Sequence, residues 1–243
     1  MKAKEELKQY GIDELINELG QFTNEIKALK KTVPADEFIG DARHVALSAM
    51  QMTIIPIIFN LKCIEYTANN TERTQLGNFV KMTTQELTYH HDNLTKSTLQ
   101  IFFHFKIENL FTNILMAINP AYKGRGFETI LNDLLNAITI GDKEDKKNSI
   151  KALSNLRNGF QNNGVHRNAD FKVTVDCIDF EFIKGEVIKS QTFDVIKLLK
   201  HIVKIIADII NTAEVLALPI PIIDVMNTKY VIPTKEDFLN NSI

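Results

Sequence analysis

Residues 156–168 read LRNGFQNNGVHRN and gather side chains that handle phosphate and protons. Arg157 carries a permanent planar charge that can hold a phosphate, Asn158 can orient it, and His166 has an ordinary pKa near neutrality. Those are the parts needed to activate a ribose 2′-hydroxyl and steady the charge that builds on a phosphorane. The alternative is a capping turn, with Asn and Gly chosen for backbone geometry and Arg157 paired with an acidic neighbour. A helix turns about 100° per residue, so with Ile150, Leu153, Leu156 and Phe160 facing the core, Arg157 and Gln161 lie one turn apart on its edge. Asn162-Asn163-Gly164 predicts a helix stop with Gly164 left-handed, which puts His166 beyond the helix.

Other groups read as structure. Lys123-Gly124-Arg125-Gly126 precedes a helix but has no phosphate-loop spacing, so an interhelical loop is expected. His90-His91-Asp92 has no second set of ligands one turn away, and no metal is expected. His104, inside an aromatic helix face, reads as a packed, hydrogen-bonded core histidine. Lys197, Lys200 and Lys204 form a stripe with His201, the pattern of a solvated charged face.

The elements that must position these residues are mostly helices. Apolar residues fall three or four apart over 4–31 (Leu15, Leu19, Phe22, Ile26), with a break near Gly11 and an end before Pro34. A second helix runs from Ala42 to about Tyr66 with a kink expected at Pro56. After the polar TANNTERT, a weaker helix covers 72–88 and TYHHDN reads as a short connection. Residues 93–118 form a strong helix ending at Asn119-Pro120, followed by helices over 127–140 and from about Asp145 onward. Val, Ile and Phe then crowd FKVTVDCIDFEFIKGEVIKS, which predicts a β-hairpin near 171–190 with Lys184-Gly185 as the tight-turn candidate. Helical spacing returns from Thr192 to about Leu216. The tail that follows contains three prolines and is expected to lie extended over the body or stay partly loose. The fold class is mainly α: a helical bundle with a small β insertion.

Composition narrows the function classes. The chain has 243 residues, 44% hydrophobic and 24% charged, which is enough to build a buried core. With a formal net charge of −2 there is no global basic field, so any contact with nucleic acid must be local. Cys63 and Cys177 stand apart in no metal or disulfide pattern, and the charged N-terminus does not read as a secretory signal, so a cytoplasmic protein is expected. The apolar stretches 45–61 and 195–210 are interrupted by polar side chains or a lysine stripe, and both read as core helices with no membrane partner.

The Arg157-Asn158 pair followed by His166 on a late helix resembles the signature of the HEPN superfamily (higher eukaryotes and prokaryotes nucleotide-binding), in which an Arg, a polar residue and a His recur. FFHFKIENLFTNIL, with Glu108 among aromatics, is similar to an early helix of that up-and-down bundle, and the hairpin then helix after the motif is similar to some bacterial branches. The resemblance covers roughly 93–216. It implies a homodimer whose Arg and His residues meet in a cleft that cuts RNA without metal or cofactor: a metal-independent endoribonuclease of a toxin or phage-defence system, with an antitoxin or other protein as a further expected partner. Carried over, Arg157 and Asn158 hold the scissile phosphate, His166 is the general acid or base, and Gln161, Asn162 and Arg167 touch RNA. In the family four to six residues separate Arg from His, whereas eight lie between Arg157 and His166 here. The competing expectation is a non-catalytic bundle that binds a protein or nucleotide. The corresponding division is N-terminal helices over 1–92, an HEPN-like core with hairpin over 93–218, and a tail over 219–243.

Overall fold

The computed structural model describes residues 11–33, 40–68 and 84–224. Among them are seven helices: α1 Ile12–Lys30, α2 Ala42–Ala68, α3 Thr84–Ile118, α4 Phe127–Ala137, α5 Lys143–Gln161, α6 Thr192–Ile210 and α7 Ala213–Leu216. One antiparallel hairpin, β1 Phe171–Val175 with β2 Ile178–Phe182, sits between α5 and α6. The protein is a helical bundle with a small β insertion, and α3 is its hub, packing on α2, α4, α5 and α6.

Hydrophobic periodicity explains the packing. In α1, Leu15, Leu19, Phe22, Ile26 and Leu29 recur at three and four residues and are all buried, and Phe22 stacks on Phe103 of α3 at 5.4 Å between ring centroids. Helix α6 buries Ile and Leu residues on most of its circumference because α1, α3 and α5 all pack against it. Its first turn is held by the Gln191 amide, which donates to the Asp194 carboxylate at 3.0 Å.

The long third helix corrects one expectation. TYHHDN is no connection: residues 88–93 lie within a continuous 35-residue α3, and the expected boundary at 92/93 falls inside it. Weak helix formers are carried there by tertiary contacts. Thr95 is buried, Lys96 donates to the Ser190 carbonyl at 3.2 Å, and the Thr192 hydroxyl reaches the Asp92 carbonyl at 3.4 Å. The expected helical residues 72–83, and the start of the first helix before Gly11, lie outside the described residues.

The lysine stripe is a second correction. Lys200 is buried, not solvated, and its ammonium lies 2.8 Å from Glu18 and 3.1 Å from Glu25 of α1, while Lys197 reaches the same Glu18 oxygen at 3.0 Å. Burial alone would push the Glu18 carboxyl up and the Lys200 ammonium down. The mutual hydrogen bonds outweigh it, so Glu18 is held below its ordinary value and Lys200 above. Only Lys204 of the three is exposed.

The start of the tail lies extended, as expected, and acts as a strap. The Ala42 amide donates to the Ile222 carbonyl at 2.8 Å, and the Ile222 amide donates to Asp41 at 2.9 Å. Asp224 accepts from Asn109 and Asn113 of α3, each at 3.2 Å. Beneath the strap, Asp41 and Arg43 form a two-point ion pair with both side chains fully buried.

Candidate functional site

Helix α5 carries the Arg-Asn pair. Ile150, Leu153 and Leu156 are buried as expected, but Phe160 is 47% exposed. Gly159 takes the inward position instead, because a Cβ there would collide with the Ile188 side chain. A glycine inside a helix costs about 1 kcal/mol, and here it lets the 183–188 segment approach the helix end. The chain stops where expected: Asn163 and Gly164 have φ of 57° and 85°, and the Gly164 amide donates back to the Gly159 carbonyl at 2.8 Å.

Beyond that stop, His166 turns into the body of the protein. It is 1% exposed, its ring packs on Phe182 at 5.5 Å, and its Nε2 lies 2.9 Å from the Ala169 carbonyl. A carbonyl only accepts, so Nε2 carries a hydrogen, and Nδ1 is buried with no hydrogen-bond partner among the described residues. The backbone on either side is clamped: the His166 amide donates to the Glu186 carbonyl at 2.9 Å and the Gly185 amide donates to the His166 carbonyl at 2.8 Å. Lys184-Gly185 is therefore a tight turn, closed by the Glu186 amide on the Ile183 carbonyl at 3.0 Å, but it follows the hairpin. The hairpin's own turn is Asp176-Cys177, with φ of 47° and 65°, the mirror-image geometry that matches strand twist.

Arg157 and Asn158 do come together. The guanidinium is half-buried and donates from Nη1 to the Asn158 Oδ1 at 3.0 Å, and among the described residues no carboxylate lies within ion-pair distance of it. The acidic neighbour of a plain capping turn is therefore not there. No hydrogen bond joins Arg157 to His166 among the described residues. Gln161 and Arg167 are exposed, and the Asn162 side chain is spent on the Asn158 carbonyl at 2.9 Å.

The histidine that does sense Arg157 is His104 of α3. It is buried and packed as expected, on Phe127 with ring centroids 4.1 Å apart, but the expected hydrogen bond to the ring is not found among the described residues. Burial, and then the positive charge of Arg157, push its pKa down to about 4, so the ring is neutral near pH 7. Nδ1 lies 3.8 Å from the Glu108 carboxylate, and Nε2 has no hydrogen-bond partner among the described residues.

Asn158 also lines a cleft of about 300 Å³ between α4, α5 and residues 168–171. Its polar wall combines Lys147 and Lys151 with the carboxylates of Glu128 and Asp170 and the amides of Asn155 and Asn168, and Phe127 and Phe171 provide apolar surface. Lys151 lies over the Phe171 ring at 5.5 Å and pairs with Glu128 at 3.1 Å. Asn155 is 4% exposed, with an Nδ2 that has no partner among the described residues. The sequence reading passed over this wall, although Lys147, Lys151, Asn155 and Asn158 recur at four, four and three residues, the signature of one helix face. No family model, curated protein or solved structure matches the chain.

Proposed function

We propose that this helical protein binds RNA, taking backbone phosphate at the Arg157-Asn158 edge of the cleft with Lys147 and Lys151 alongside, in the manner expected of an HEPN-like bundle. One observation carries the reading: a half-buried guanidinium with no carboxylate partner among the described residues, held by an amide that lines a cleft bearing Lys147 and Lys151 as well as Glu128 and Asp170. A buried or half-buried arginine without an anion keeps unused donors, and phosphate is the anion its planar fork fits best. The net charge of −2 agrees with a local contact in place of a broad electrostatic one. The burial of His166 favours binding over cleavage.

The test is fluorescence anisotropy with a labelled single-stranded oligoribonucleotide in EDTA, with the same samples run on a denaturing gel. Wild type binds, and Arg157→Ala weakens binding about tenfold and lowers the slope of log affinity against log salt by about one phosphate contact. Equal binding by Arg157→Ala at every salt concentration rules the reading out.

A second reading rests on His104. Its Nε2 has no hydrogen-bond partner among the described residues, Glu108 lies 3.8 Å from Nδ1 and the charge of Arg157 acts on the ring. A neutral imidazole then takes a proton from a 2′-hydroxyl while Arg157 holds the phosphate, on the condition that a local opening uncovers a ring that is buried in the folded chain. Cleavage in EDTA that vanishes in His104→Ala and persists in a folded His166→Ala selects this version. The opposite pattern restores His166 to the site.

A further inference from the structure

On the side of α3 away from Arg157 the described residues present a large exposed apolar face. Two residues along a helix turn it about 200°, so Phe102 and Lys106 point opposite to His104. Met52 and Phe59 of α2 are 62% and 67% exposed, and Leu94, Ile101, Phe102 and Phe105 of α3 are 65%, 37%, 47% and 47% exposed. The two helices enclose an apolar groove of about 470 Å³ between them. At roughly half exposure, six such side chains show on the order of 600 Å². A typical monomer leaves a few hundred Å² in one patch, and one side of a standard interface takes about 800 Å², which the groove walls bring within reach.

The order of residues along α3 fits this face to a second copy of itself. Leu94, Thr98, Phe102 and Lys106 follow at intervals of four, so one stripe carries a small residue flanked by two large apolar ones. A twofold axis through Thr98 sets antiparallel copies of α3 so that Leu94 meets the other copy's Phe102 twice over, with the small threonines letting the helices approach. Phe105 then meets His91, which lines the groove and whose charged form is disfavoured by burial. Lys106 ends the stripe, so the two lysines fall at opposite ends of the contact, about 24 Å apart along the helix, beyond a Debye length. We propose that the α2–α3 face binds a second copy of this chain about a twofold axis at Thr98. The contact is independent of the RNA reading and leaves the two Arg157 residues on outer sides, unlike the dimer that the sequence resemblance implies.

The full chain is tested by sedimentation velocity from low to high micromolar concentration. Wild type is a dimer, Phe102→Glu is a monomer with unchanged circular dichroism, and Arg157→Glu stays a dimer. Thr98→Cys, in a chain with Cys63→Ser and Cys177→Ser, forms a disulfide-linked dimer under mild oxidation, because a residue on a twofold axis meets its own mate. A monomer at every concentration overturns the proposal, including one that floats with lipid vesicles through this face. A dimer broken by Arg157→Glu and not by Phe102→Glu overturns it as well.

Discussion

Two arginines, Arg43 and Arg157, occupy opposite situations. Arg43 is fully buried and directs Nε and Nη2 at the two oxygens of Asp41, each at 2.8 Å. Arg157 is half-buried and engages one amide oxygen. A guanidinium taken out of water needs an anion, and at Arg43 the chain supplies it two residues away. At Arg157 no carboxylate lies within ion-pair distance among the described residues, which points to an anion from outside. Arg43, whose charge is met by a carboxylate two residues away although its Nη1 has no hydrogen-bond partner among the described residues, belongs to the architecture, while an arginine with no carboxylate partner among those residues points to a ligand.

The comparison breaks most sharply through stability. Asp41→Ala strands Arg43 in the interior and removes the anchor of the Ile222 amide, so unfolding in urea shows a loss of about 3–5 kcal/mol. Arg157→Ala costs less than about 1 kcal/mol in the same experiment. A loss near 3 kcal/mol for Arg157→Ala makes it a structural arginine and removes the basis of the RNA reading.

His104 gives the next effect. Its folded pKa of about 4 lies below the ordinary value of 6.5, so between those limits the unfolded chain binds the extra proton. Stability is full above about pH 6.5 and falls as pH drops toward 4, by up to about 3 kcal/mol, with the Glu108 carboxylate at 3.8 Å working against the loss. His104→Gln flattens that part of a stability-against-pH curve. A curve unchanged by the substitution means that the imidazole is not buried neutral beside Arg157.

Among the groups that the fold itself pairs or buries, the α1–α6 clamp gives the smallest effect. Glu18→Ala leaves Lys200 with Glu25 as its ion-pair partner and costs about 2 kcal/mol, and Lys200→Met costs less because an apolar chain of similar length replaces a buried charge. The reverse order in thermal melts would show that the pair contributes net stability and does more than satisfy itself.

Helix periodicity made most of the fold legible. The buried faces of α1, α4 and α6 follow directly from spacing, and the stop at Asn163-Gly164 from residue chemistry. What the sequence hid was long-range pairing. Glu18 and Lys200 look like solvated charges until two helices 182 positions apart are brought together. Residues 88–93 read as a break because the contacts that carry α3 through them come from the stretch around Ser190 and Thr192. The hairpin was visible but its turn was not, since Asp-Cys carries neither the Asn nor the Gly that usually marks a mirror-image turn. At the candidate site, Arg157 and Asn158 could be read as neighbours on a helix edge. His104, more than 50 positions earlier, could be read only as core, because its relation to Arg157 depends on how α3 packs on α5.

The strap at Ile222 has a kinetic consequence. It joins residues 181 positions apart, and closing so long a loop is entropically unfavourable until the chain between is already compact. Its hydrogen bonds to Asp41 and Ala42 therefore belong to the last step of folding, after the helices have packed. By the same reasoning they are the first to open in the native state. The amides of Ala42 and Ile222 should exchange with solvent deuterium together and sooner than those in the middle of α3, which makes the start of α2 a reporter of whether the bundle is closed.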